Sequence, residues 1–129
     1  MVAEADGELV AYFDDDLYAE RVVPQSPFAG YVERTHGTLT GDLLTALPGE
    51  PIHMAIVTDG DGTRRLVREL EATIGGVVNV TSGHPLLAEI DSLGASKGSA
   101  LRWLAGYLNI PPSRILAAGD DWNDIAMLR

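Results

Sequence analysis

The sequence predicts an α/β fold, and three observations carry that prediction. Short runs of apolar and β-favouring residues, LVAYF, LYAERVV, IHMAIV, VVNV and LLAEI, recur over residues 9–90. Two segments, RRLVRELEATI and SKGSALRWLAGYLN, instead show the spacing of an amphipathic helix. Gly, Pro, Asp and Asn punctuate the boundaries, as residues that end elements do. A chain of 129 residues suits one ordinary domain, or a small domain with part of another.

In order along the chain, LVAYF (9–13) and LYAERVV (17–23) flank Asp14-Asp15-Asp16 and read as a hairpin with a polar turn. Three adjacent carboxylates could hold a metal, but neighbours on a strand point to opposite faces, so a solvated turn is the preferred reading. PQSPFAG, with two prolines and a glycine, is a loop. Asp42 caps a short helix, DLLTAL, closed by Pro48-Gly49. IHMAIV (52–57) is a buried strand. Leu66, Val67, Leu70 and Ile74 share one face of the following helix, which Gly75-Gly76 ends. VVNV (77–80) and LLAEI (86–90) are strands joined by a turn, TSGHP, short enough for antiparallel pairing. A helix from residue 96 carries Leu101, Leu104 and Leu108 on one stripe and is broken by Pro111-Pro112, with Trp103 and Tyr107 expected to pack a core. ILAAGDDWNDIAMLR reads as a strand (115–118), an acidic loop and the start of a helix.

Composition narrows the function classes. The formal charge of −10 argues against nucleic acid or an anionic membrane as partner, because both need a basic surface. An anionic substrate would be repelled at long range unless a divalent cation intervenes. No apolar run approaches the roughly 20 residues that cross a bilayer, and MVAEADGELV lacks the basic-then-apolar order of a signal peptide. The absence of cysteine excludes disulfides and thiolate metal sites. The expected compartment is the cytoplasm.

GDDWND (119–124) is the most informative stretch for chemistry. It follows an apolar run directly, so its carboxylates would project from a strand's carboxyl end, where open α/β sheets place ligands. Clustered carboxylates repel one another, and a hard cation such as Mg²⁺ relieves that repulsion. Equally, Asp121 or Asn123 could simply cap the last helix. Lys97 adds weight to the first reading: it opens a helix, where backbone N–H groups already favour an anion, and supplies a point charge for phosphate.

S-K-G, an amphipathic helix and then LNIPPSRILAAGDDWNDIAML together resemble the C-terminal motifs of the haloacid dehalogenase superfamily, in its Cof-type phosphatase branch. The resemblance is close over residues 86–129, including AEID ahead of the lysine, and looser over residues 9–85, which look like that branch's cap. It implies a cap of antiparallel sheet with helices on one face over residues 1–92, then part of a Rossmann-like core over 93–129. Residue by residue, Asp120, with Asp121 as a further candidate, would ligate Mg²⁺. Asn123 would lie near the phosphate, and Asp124 would pair with Lys97, which holds the transferring phosphoryl group. In the family's chemistry an aspartate of a DxD loop attacks phosphorus, and the second aspartate serves as acid and base. Cap residues choose the substrate, so Glu89, His84 or the surroundings of Phe28 could face a small phosphorylated metabolite such as a sugar phosphate; His84 before Pro85 also reads as an ordinary turn residue.

VTDGDGT (57–63) spells such a loop, with Asp59 as nucleophile and Asp61 as acid and base. IHMAIV, the helix and VVNV would form a β-α-β unit with parallel strands, bringing Thr81 or Ser82 beside Asp59. Yet in the family that loop opens the chain, and here a cap-like half precedes it. The preferred reading is that Asp59 and Gly60 end a strand while Asp61 or Thr63 caps the helix. The chain is then an incomplete portion of a phosphatase, inert alone, with its nucleophile upstream of Met1. Two alternatives stand beside it: a compact capless phosphatase using Asp59, and a non-catalytic α/β module with a structural cation-binding loop. Oligomeric state is open.

Overall fold

The computed structural model describes residues 7–24, 26, 28–58 and 60–129. Its centre is a six-stranded sheet in the order β3-β2-β1-β4-β6-β5. The strands are β1 (Glu8–Phe13), β2 (Asp16–Ala19), β3 (Thr38–Leu39), β4 (His53–Val57), β5 (Val78–His84) and β6 (Leu87–Ser92). Helices α1 (Ala29–Arg34), α2 (Leu43–Ala46), α3 (Thr63–Ile74), α4 (Lys97–Tyr107) and α5 (Ile125–Leu128) complete the fold. Single 3-10 turns form at Pro112–Arg114 and Trp122–Asp124. No helix among the described residues is long and apolar enough to cross a membrane.

The α/β class is as expected, with local differences. β1 and β2 form the expected hairpin, and Asp14, Asp15 and Asp16 are exposed at its turn, with Asp14 at a φ of 50°. Asp42 caps α2, accepting the Leu44 N–H at 3.0 Å. The PQSPFAG loop gives way to α1 at Ala29, an element that residue spacing did not announce. TSGHP is not a turn. Thr81 to His84 continue β5 through a bulge, leaving only Pro85-Leu86 as the connection.

The sheet is not wholly antiparallel, because β2 and β3 pair in parallel. Nor are the helices on one face. Val10, Ala19 and Ala55 are cross-strand neighbours and pack with Val32 of α1. Leu9, Ile56 and Ala88 occupy the alternate positions and pack with Leu66, Val67 and Leu70 of α3. Side chains alternate across a strand, so these two clusters lie on opposite faces. The reason is compositional: the faces of β1 and β4 are apolar at both parities near Val10 and Ile56, and each needs a covering helix.

β4 and β5 run parallel, as the β-α-β reading required, but β6 lies between them and is antiparallel to both. Thr81 therefore stands level with Glu89 and Ala55 and is not adjacent to the end of β4. On the face shared with α1, the β5–β6 end becomes polar. Asn79 and Thr81 of β5 oppose Asp91 and Glu89 of β6. His53 Nδ1 reaches Asp91 Oδ1 at 2.7 Å. This polar half-face receives the segment after residue 93.

That segment departs most from expectation. Helix α4 is capped by Ser96, whose hydroxyl accepts the Ser99 N–H at 3.0 Å. It ends earlier than the prolines. Asn109 adopts a φ of 54°, and the N–H groups of Ile110 and Asn109 return to the carbonyls of Ala105 and Gly106. Among the described residues, 115–118 pair with no strand, and a ladder needs a partner alongside. Trp103 and Tyr107 stack at 5.5 Å but are 69% and 72% exposed, and Leu104, Leu108 and Leu116 are exposed too. The expectation that they fill a core is not met within the described residues, because the sheet faces are occupied by α1, α3 and the 119–124 loop.

Candidate functional site

The site forms where the start of α4 meets the loop ahead of α5. The serine capping box fixes the first turn of α4, so Lys97 emerges at a defined point. Its Nζ donates to Asp124 Oδ1 at 2.5 Å and to Asn123 Oδ1 at 2.9 Å. Asp124 is only 5% exposed. Its other oxygen, Oδ2, accepts the backbone N–H groups of Asp120 at 3.1 Å and Asp121 at 3.2 Å. One carboxylate thus closes the acidic loop and anchors the lysine.

Electrostatics follow from these bonds. The Lys97 ammonium and the two N–H groups favour ionised Asp124 and hold its carboxyl below the ordinary aspartate range, against the opposing effect of burial. The hydrogen bond to Asp124 raises Lys97, opposed by desolvation and helped by the charges of Asp124, Glu89 and Asp121. Both groups are charged at neutral pH. An ammonium has three donors. Asn123 and Asp124 take two, and Lys97 borders a broad groove into which the third can point.

Two glycines make this assembly possible. A Cβ on Gly98, the second residue of α4, would come within 2.0 Å of the Ala126 carbonyl oxygen, so α4 and α5 cross at backbone contact. A Cβ on Gly83 of β5 would meet Asn123 Nδ2 at 1.9 Å. Gly98 is the glycine of S-K-G, and residue spacing assigns no role to Gly83. A glycine in the first turn of a helix, where it is a poor helix former, was the available signal for Gly98.

The other expected residues fall as follows. Asp121 accepts the Trp122 N–H at 2.7 Å and so caps the 3-10 turn, not the last helix, whose N-cap is Asp124. Asp120 is exposed, and its backbone N–H is held by Asp124. Among the described residues no three acidic or histidine side chains converge as a cation cage. Mg²⁺ needs fewer, because one or two carboxylates with water and phosphate oxygens satisfy it; Asp120 fits as one such carboxylate.

Glu89 lies beside Asn123, accepting its Nδ2 at 3.5 Å and the Gly83 N–H at 2.8 Å. His84 accepts the Leu86 N–H through Nδ1 and is exposed at the end of β5. Phe28 packs on Tyr31 against the α1 cluster. Asp59 lies outside the described residues. Asp61 is exposed before α3 and borders the same groove as Lys97. It does not cap α3, and neither does Thr63: the N-cap is Gly62. Thr63 is buried, bonded to the Thr58 hydroxyl and donating to the Pro85 carbonyl at 2.6 Å, because the β5–β6 connection passes over the start of α3.

Comparison with known proteins gives the family and the fold. A family model described as haloacid dehalogenase-like hydrolase matches residues 2–129. A solved protein from Streptococcus mutans superposes with a TM-score of 0.76 at 18% identity, over 95% of this chain and 47% of that one. A phosphatase of the haloalkanoate enzyme superfamily from Bacteroides thetaiotaomicron gives a TM-score of 0.69 at 26% identity, over 98% of this chain and 46% of that one. The chain thus spans slightly under half the length of these structures. A chloroplastic endoribonuclease YBEY of Arabidopsis thaliana is 41% identical over 59 residues, 46% of this chain and 10% of that protein.

Proposed function

The chain belongs to the haloacid dehalogenase-like hydrolases, and from that premise we propose that it serves a Mg²⁺-dependent phosphatase acting on a small phosphorylated metabolite. The observation that carries the reading is the Lys97 ammonium, fixed by Asp124 and Asn123 at the edge of the groove. A transferring phosphoryl group spreads negative charge over its oxygens, and a preorganised cation lowers the energy of that state. In an acidic protein such a cation must be held in place, and the carboxylate of Asp124 does so while Asp124 itself stays ionised.

The reaction proposed is hydrolysis through an aspartyl-phosphate. An aspartate oxygen bonds to phosphorus while the bond to the alcohol oxygen breaks, and that oxygen takes a proton. Water then attacks the same phosphorus, releasing phosphate and restoring the carboxylate. Bound Mg²⁺ would offset charge on the phosphoryl oxygens; Asp120 would be one of its ligands. The attacking aspartate is assigned to none of the described residues. Asn79, Thr81 and Asp91 line the same groove, and their amide, hydroxyl and carboxylate groups suit the hydroxyls of a sugar phosphate. Residues 1–92 would act as the cap-like part and 93–129 as a segment of the core, in keeping with a sheet confined to residues 8–92.

The test is Mg²⁺-dependent hydrolysis of an aryl phosphate, together with binding of inorganic phosphate, by the chain and by Lys97→Ala, Asp120→Asn and Asp59→Asn. Phosphate binding that Lys97→Ala abolishes supports the reading even without turnover. Turnover lost in Asp59→Asn would select the compact phosphatase with Asp59 as nucleophile. Cation binding that survives Lys97→Ala, with neither phosphate binding nor turnover, would sink the proposal in favour of a structural cation loop.

A further inference from the structure

An asparagine amide has a donor end and an acceptor end, and only the acceptor end suits a lysine. At Asn123 the choice is forced from the sheet. Glu89 Oε2, held by the Gly83 N–H at 2.8 Å, lies 3.5 Å from Asn123 Nδ2, which turns Oδ1 to Lys97 Nζ at 2.9 Å. The reverse orientation would set two N–H donors against an ammonium and an oxygen against a carboxylate. Asn123 can approach this closely because residue 83 has no side chain.

We infer that Glu89 is a positioning residue for the Lys97 site: from β6 it fixes the amide of Asn123, and through it the direction of the ammonium. The inference rests on the proposed role of Lys97 toward a phosphoryl group. It gives Glu89 a role apart from the substrate contact expected of it, through Oε2, which serves two donors. It also ties the sheet to the 119–124 loop, which Asp124 otherwise holds only from its own side and from α4.

The test uses the isotope-labelled chain, following proton exchange of the Asn123 side-chain amide, titration of the Lys97 ammonium and binding of inorganic phosphate. In Glu89→Ala the Asn123 protons should exchange roughly fivefold faster, the factor matching a net hydrogen bond of about 1 kcal/mol, and phosphate should bind more weakly. Glu89→Gln keeps an acceptor oxygen, so Asn123 protection should return while Lys97 titrates at lower pH than in the wild type, having lost a negative neighbour. A merely structural role would disturb the β5 and β6 backbone amides in both variants alike. Unchanged Asn123 exchange in Glu89→Ala would overturn the inference. Should Glu89→Ala fail to fold, Glu89→Asp decides: it keeps the charge and withdraws the acceptor by one methylene, so faster Asn123 exchange supports the relay and unchanged exchange refutes it. If Asn123 responds as expected while the wild type binds no phosphate, the relay stands and the proposed function falls.

Discussion

Two glycines in helix α4 should respond oppositely to the same substitution. Gly98→Ala adds a methyl carbon 2.0 Å from the Ala126 oxygen, 2.4 Å from its carbonyl carbon and 2.9 Å from the Met127 nitrogen. Carbon contacts are comfortable near about 3.5 Å, so α4 and α5 must separate by about 1.5 Å along that line. The atoms met are backbone, which no rotamer change relieves. Overpacking of this kind costs about 1–3 kcal/mol, against a helix-propensity gain of at most about 1 kcal/mol. The net expectation is a loss of roughly 1–2 kcal/mol. Gly106→Ala meets nothing within 4 Å and should show only the gain. For a domain of this size 1 kcal/mol moves the melting temperature by about 3–5 °C, so scanning calorimetry separates the two variants. Because α5 follows Asp124 directly, the Gly98 variant should also lose exchange protection at the Asp120 and Asp121 amides. Equal increases in melting temperature for both variants would refute the close crossing of α4 and α5.

Further outcomes follow from the same geometry. Ile56 is 1% exposed between α3 and the sheet, and Ile56→Ala should cost about 2–5 kcal/mol in urea unfolding; a loss below about 1 kcal/mol would show that α3 does not cover that face. Thr63→Val leaves the Pro85 carbonyl without its buried donor and should destabilise by about 1–3 kcal/mol, a cost that Thr63→Ser should largely avoid. The Lys97–Asp124 pair sets a pH window. Asp124 is depressed in the fold, so its contribution is complete above the unfolded aspartate value of 3.8 and is lost as pH falls through its lower folded value. Lys97 is raised, so its contribution is complete below 10.5 and is lost as pH climbs through its higher folded value. Stability should therefore decline at both extremes, and Asp124→Asn should flatten the difference between neutral and acid pH; an unchanged profile would contradict the pairing. Lys97→Ala should lower any phosphatase activity by about 10²–10³-fold, measured with saturating Mg²⁺, and a loss below tenfold would argue against an electrostatic role for the lysine.

Much of this molecule is legible in its residues. The hairpin, the Asp42 cap, α3 with its Leu66–Leu70 face and the serine-capped start of α4 are local: each depends on side-chain periodicity and backbone bonding within a few positions. The Lys97–Asn123–Asp124 triad was legible for another reason, since S-K-G and GDDWND resemble motifs of the family; the structure brings the three residues together. Spacing alone left GDDWND open between capping and ligation; Asp121 caps the 3-10 turn ahead of the last helix.

Only the tertiary structure decided the rest. The insertion of β6 between β4 and β5 depends on long-range pairing, which no local pattern encodes. The unpaired 115–118 segment and the exposed Trp103 and Tyr107 show the converse: apolar residues of strand or helix type form a ladder or a core only where a partner surface lies alongside. Gly83, Gly98 and the Glu89–Asn123 contact belong to the same class, because a close approach is a property of two elements at once. The sequence by itself determined which residues carry charge and which segments can coil or extend. How Lys97 is aimed was settled in three dimensions, where the sheet, α4 and the acidic loop meet and each buried donor must find its acceptor.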